Sequence, residues 1–176
     1  IVTAAYRRSY FEEGVAVASA RAGNVIGGGD WAEDRLVPDL VRAFIEGNSV
    51  LIRNPHATRP WQHVLDPLAG YLLLAEHLCK SGSRFARAWN FGPGLEGGIT
   101  VRRVVEAAAR LWGSSASWSV DEGGHPHEAR VLAIDPSRAG RELGRVRLPQ
   151  SGEHNVRNAL AAIAATFARC SSVRLL

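Results

Sequence analysis

The chain has 176 residues, 46% hydrophobic and 22% charged, with 20 arginines against one lysine, no methionine and a net charge of +4. That length suits one domain, or one and a part, with a sizeable core, and the composition excludes general disorder. No apolar run approaches the roughly 18 residues of a membrane span, no secretory signal opens the chain, and the charge argues against nucleic acid as a partner: residues 1–144 carry 16 basic and 16 acidic side chains, so the whole excess lies in 145–176.

The pattern alternates helix and strand. A helix over 2–12 stops at Gly14. Val15 to Ala20 reads as a short strand buried on both faces, as in a parallel sheet. A glycine-rich loop over 21–35 follows, centred on Gly27-Gly28-Gly29-Asp30-Trp31. A helix over 37–46 has its apolar face at Val37, Leu40, Val41, Phe44 and Ile45 and ends at Gly47. Val50 to Ile52 is a strand, and Asp66-Pro67 marks a helix start that buries Leu68, Tyr71, Leu72, Ala75 and Leu78.

Ala88 to Phe91 is a strand broken at Gly92-Pro93-Gly94. Thr100 caps a helix with Val101, Val104, Val105, Ala108 and Leu111 on one face. Trp118–Val120 and Val131–Ile134 read as strands, Asp135-Pro136-Ser137 opens a short helix, and a last helical pattern covers Val156 to Phe167. Alternation of this kind predicts an α/β sheet followed by a smaller α+β lobe from about residue 95. Cys79 falls in an apolar helical pattern and reads as a core thiol; with Cys170 it makes no disulfide framework, and a reducing cytoplasm is the default.

Four constellations carry chemistry. The first runs from Arg21 to Trp31, directly after a buried strand, where ligands of doubly wound sheets bind. Its glycines permit close backbone approach and Asn24 offers an amide. The second is Arg53-Asn54-Pro55-His56-Ala57-Thr58-Arg59-Pro60-Trp61. Its two guanidinium groups, with Arg35, suit a diphosphate. The third is Trp89-Asn90-Phe91-Gly92, another strand end bearing an amide. The fourth is His125-Pro126-His127-Glu128, whose histidines lack further ligands at metal-site spacing, so no metal is expected.

The segments ARAGNVIGGGDWAEDRLVPDLVRA, RNPHATRPWQHVLDPLAGYLLLAEHL, WNFGPG and HPHEARVLAIDPSRAGRELG resemble, in order and spacing over residues 1–144, the CDP-glucose 4,6-dehydratases. These are a branch of the extended short-chain dehydrogenase/reductase family. The resemblance implies the C-terminal part of an NAD(P)-binding Rossmann-like fold over 1–94, a nucleotide-sugar-binding lobe over 95–144, and an atypical basic tail over 145–176. It implies a cytoplasmic enzyme that uses NAD to oxidise the sugar at C4, eliminates water across C5 and C6 and returns hydride to C6. By family position Asn24 and Asn90 contact the nucleotide sugar, Arg35 and Arg59 the diphosphate, Arg53 the region of the base, and His125 and Glu128 that of the ribose. Ala22 and Gly23 border the cofactor. Members of the family are often homodimers.

Two departures stand beside the match. The family's GxxGxxG and its catalytic Tyr-x-x-x-Lys are expected upstream of Ile1; Tyr6 is followed four residues on by Tyr10 rather than lysine. Without that pair nothing takes the proton from the C4 hydroxyl, so the chain is expected to be a truncated, inactive fragment with unpaired edges on the strands at 15–20 and 88–91. Second, Gly152 to Ala162, within 148–168, resembles the HNxxNALAA segment of Mur ligases, without the P-loop that ATP ligation needs. Two alternatives remain open here: a non-catalytic or degraded fragment, and a relative acting on GDP-mannose or dTDP-glucose.

Overall fold

The computed structural model describes residues 1–11, 15–95, 98–125 and 127–144, together with the backbone of 173–175. The tail helix expected at 156–167 and the Mur-like segment at 148–168 lie outside the described residues.

The sheet that positions the site is short and parallel. Ala16, Val17 and Ala18 are buried small or β-branched residues, and they open strand β1 (Ala16–Ala22). On one side β1 pairs in parallel with Ala88–Phe91, which aligns Arg21 with Asn90 and Ala22 with Phe91. On the other side Val173–Leu175 runs parallel to Ala16–Ala18. The edge of β1 expected to be bare is therefore covered. Two parallel strands cannot be joined by a tight hairpin. The connection between β1 and Ala88–Phe91 accordingly passes through the helix Leu65–Ser81, which packs on their face.

In chain order the elements are α1 (Val2–Tyr10), β1, β2 (Asn24–Ile26), α2 (Leu36–Glu46), β3 (Ser49–Ile52), β4 (Thr58–Arg59), β5 (Trp61–His63) and α3 (Leu65–Ser81). After a 3-10 turn at Gly82–Phe85 come β6 (Ala88–Phe91), β7 (Ile99–Thr100), α4 (Val101–Trp112), β8 (Ser117–Val120), α5 (Ser137–Glu142) and β9 (Val173–Leu175). Gly47 ends α2 with φ 71°, the left-handed cap that glycine adopts without cost. Thr100 Oγ1 accepts from Arg103 N (3.3 Å) and starts α4 as its position predicts.

Several expectations are corrected. The loop at 21–35 holds a strand, β2, which pairs in parallel with β5 from the irregular proline-bracketed segment. Asp66 is not a cap: α3 begins at Leu65, and Pro67 sits inside the first turn, where its missing N–H costs nothing. Val131–Ile134 is no strand; Val131 makes one isolated bridge to Thr58. Leu111 is exposed, and only Val105 of the α4 face is fully buried. Cys79 is exposed on α3 rather than in the core.

Two hydrophobic clusters hold the chain. One gathers Ala16, Ala18, Leu74, Leu78, Phe85, Trp89, Phe91, Ala139 and Leu143 around β1 and β6. The other gathers Leu40, Phe44, Val50, Ile52 and Val105 from α2, β3 and α4. Arg87 ion-pairs with Glu142 and lies over the Trp89 ring, 5.1 Å from its centroid, so α5 is tied to β6.

Candidate active-site cleft

A cleft of about 1010 Å³ opens at the carboxyl ends of β1, β3 and β6. That is the expected ligand position in an open α/β sheet, because the loops that leave the strands diverge there. Its lining includes Ala22, Gly23, Asn24, Arg35, Arg53, Arg59, Asn90 and Glu128. Eight of the nine residues singled out from sequence therefore share one cavity. His125 is not in the lining; its Nε2 lies 3.0 Å from Asp121 Oδ2.

The inner wall is built by the strand ends. Asn90 is braced from both sides: its Oδ1 accepts from Arg21 Nε (3.0 Å) and its Nδ2 donates to the Asp135 carbonyl (3.0 Å). Asn24 donates its backbone N–H to the Pro60 carbonyl (2.9 Å), while its side chain makes no hydrogen bond among the described residues. Gly23 lies so close to Pro60 that a Cβ would overlap the carbonyl oxygen. The absence of a side chain at 23 is thus required by β2–β5 packing, quite apart from any ligand.

The arginines differ in how far they are committed. Arg59 is 5% exposed. Its Nη1 donates to the carbonyls of Thr58 (2.9 Å) and Ala129 (3.0 Å), and its Nη2 pairs with Glu128. Three of its N–H groups are engaged, which leaves two of five. Arg35 pairs with Asp30 at 3.2 Å, but 64% of its side chain is exposed, and such pairs are worth about 0–1 kcal/mol. Arg53 is exposed at the end of β3 and has no hydrogen bond or ion pair among the described residues. An incoming anion therefore meets Arg53 without a hydrogen-bonded partner, although its charge also acts on Asp121 and Glu128, and meets Arg35 weakly paired, with Arg59 already holding the wall.

Glu128 joins the walls. It accepts from Arg59 and from Asn54 Nδ2 (2.7 Å), and its carboxyl is held below the ordinary glutamate value, chiefly by the Arg59 hydrogen bond and further by Asn54. A folded-state pKa below the unfolded one means that the unfolded chain binds more protons in the window between them. The contribution is full above the ordinary glutamate pKa of about 4.3 and is lost as pH falls through the lowered value. Acid unfolding of Glu128→Gln is expected to show a shallower pH dependence than the parent below about pH 4.3. Parallel melting curves from pH 7 to 2.5 check this; identical slopes would remove the ion pair from the stability of the loop.

Asp135 and Trp61 also line the cleft, though no site role was assigned to them from sequence. Asp135 reads in sequence only as a helix opener. Its side chain does that work by accepting from Ser137 N (2.9 Å), which also lowers its pKa, while its carbonyl holds Asn90. Among the described residues no cluster of three or more His, Cys, Asp or Glu could hold a metal ion, and no helix is long and apolar enough to cross a membrane.

An α/β chain with a short parallel sheet and a cleft at its strand ends has a Rossmann-like fold. Residues 1–92 match the NAD dependent epimerase/dehydratase family, and the chain belongs to it. It is 50% identical over 150 residues to the CDP-glucose 4,6-dehydratase of Salmonella typhimurium, a match that spans 82% of this chain and 42% of the relative. It is similar in structure to the dTDP-glucose 4,6-dehydratase DesIV of Streptomyces venezuelae, solved with NAD and TYD bound (TM-score 0.63, 23% identity, 96% of this chain and 48% of that one). The UDP-glucuronic acid 4-epimerase of Bacillus cereus shares the fold at TM-score 0.66 and 18% identity, over 96% of this chain and 49% of that one. The chain thus spans about half the length of these relatives or less.

Proposed function

We propose that this chain is the nucleotide-sugar-binding part of a 4,6-dehydratase that acts on CDP-glucose. The observation that carries the reading is the gathering of Asn24, Arg35, Arg53, Arg59, Asn90 and Glu128 in one cleft, in a chain half identical to a CDP-glucose 4,6-dehydratase over 150 residues. Asn24 and Asn90 would present amides to the sugar hydroxyls, and Arg53 and Arg35 would meet the diphosphate. Glu128, fixed by Arg59, would close the far wall near the ribose. His125 lies outside this arrangement, and we assign it no contact. The net reaction removes the C6 hydroxyl as water and leaves a C4 ketone on a 6-deoxy sugar.

In such enzymes NAD supplies hydride abstraction and return. The residues here fit it only in part. Ala22, Gly23 and Asn24 supply a strand-end wall, but the sequence contains no Gly-x-x-Gly-x-x-Gly turn to receive a pyrophosphate. The single lysine, Lys80, is preceded four residues earlier by Glu76, with which it pairs on exposed α3. These 176 residues therefore hold no Tyr-x-x-x-Lys, and no proton or hydride transfer is drawn through them. Their part is to bind and orient the substrate and to hold its phosphates.

Thermal shift of the purified chain against CDP, UDP, GDP and dTDP tests the proposal. The expected result is the largest stabilisation with CDP, by about 2–3 kcal/mol at a hundredfold excess over its dissociation constant, and no turnover of CDP-glucose. Equal or absent shifts with all four nucleotides would overturn the base assignment, and turnover would overturn the binding-only role.

A further inference from the structure

The lip of the cleft carries an aromatic side chain that the binding proposal leaves without a task. Trp31 lines the cleft and is 58% exposed. Single exposed aromatics are ordinary on protein surfaces. What distinguishes Trp31 is its mounting. Arg42 reaches from α2 and donates through Nη1 to the Trp31 carbonyl (2.7 Å) and through Nη2 to the Ala32 carbonyl (3.3 Å). Its guanidinium is itself paired with Asp39. From the other side the Asp30 carboxylate accepts from Ala32 N (3.2 Å) and from Arg35 Nη1 (3.2 Å). The backbone is thus tethered at several points, while the indole is left in water. A binding loop held in this way has little freedom left to lose when a ligand arrives.

We propose that Trp31 is the stacking platform for the nucleobase of the ligand in this cleft. The inference rests on reading the cleft as a nucleotide-sugar site. An indole presents a flat π-face, which a planar pyrimidine covers fully and a puckered hexose with its hydroxyls covers only in part. The inner wall, by contrast, offers amides at Asn24 and Asn90, which suit hydroxyl groups. Stacking supplies affinity for a flat ring and little choice between bases, so Trp31 strengthens nucleotide binding without selecting the base.

The test titrates the chain with CDP, CMP and glucose 1-phosphate, following tryptophan fluorescence and binding heat in the parent, Trp31→Ala and Trp31→Phe. CDP and CMP are expected to quench the parent. Trp31→Ala should lose that quench and bind CDP roughly 5- to 100-fold more weakly. Trp31→Phe should recover part of the affinity, and glucose 1-phosphate should bind all three proteins equally. Thermal melts of the two variants at parental temperature establish that the fold is intact. Parental CDP affinity in Trp31→Ala would overturn the inference and leave the cleft reading standing. Weakened glucose 1-phosphate with unchanged CDP would overturn it in favour of a sugar contact. A parent that binds none of the three would overturn the cleft reading, and this inference with it.

Discussion

Gly23→Ala is expected to lower stability by about 1–3 kcal/mol, the usual cost of forcing extra volume into a close-packed site, and to abolish detectable CDP binding. A Cβ at position 23 meets the Pro60 carbonyl oxygen and two carbons of its ring. The oxygen belongs to the backbone and cannot rotate away. It is also the acceptor for the Asn24 N–H, so displacing it opens the β2–β5 pair and moves Asn24 off the inner wall. For a chain of this size such a loss corresponds to a fall in melting temperature of roughly 2–12 °C. Gly28→Ala is the control: nothing lies within 4 Å of a Cβ there, and the melting temperature should stay at or slightly above the parental one. Calorimetry of both variants decides the matter. Equal melting points would mean that the wall is softer than its geometry implies.

Arg59→Ala is the second large effect. Removing the guanidinium strands the Ala129 carbonyl, leaves the Thr58 carbonyl with the Leu132 N–H alone, and leaves Glu128 held only by Asn54. Hydrogen bonds to charged groups are worth about 1.5–3 kcal/mol, but half of the Glu128 side chain is exposed and water will replace part of the loss. A net destabilisation of about 2 kcal/mol is expected, together with a tenfold or greater fall in CDP affinity as the wall at 128–135 loses its anchor. Arg59→Lys should restore the charge without the fork and recover only part of either quantity. Unchanged CDP affinity in Arg59→Ala would show that this segment takes no part in binding.

The elements most legible in sequence were those set by local rules. β6, α2 with its Gly47 cap and the Thr100 start of α4 follow from period, cap and breaker, all within a few residues of one another. β2, β4 and β5 were not legible. Each spans two or three residues and exists because of a partner tens of residues away: Asn24–Ile26 finds Trp61–His63, and Thr58–Arg59 finds Ile99–Thr100. The covering of β1 by Val173–Leu175 has the same character. For α3, Asp66-Pro67 gave a sound local start signal, but tertiary packing buried Leu65 and moved the first turn upstream.

The site divides along the same line. Residue types and motif order by themselves pointed to the family and named a set of amides and guanidinium groups, because these are side chains whose hydrogen-bonding capacity can be read without a fold. Only the tertiary structure decided what each of them is free to do. Arg59 and Arg53 lie six residues apart in matching surroundings, yet one is buried in the Glu128 clamp and the other stands open to the cleft. His125 and Glu128 are near neighbours in one loop, yet one turns to Asp121 and the other crosses to Arg59. Charge and hydrogen-bonding capacity are properties of a side chain alone, whereas commitment depends on which partner the fold brings within about 3 Å.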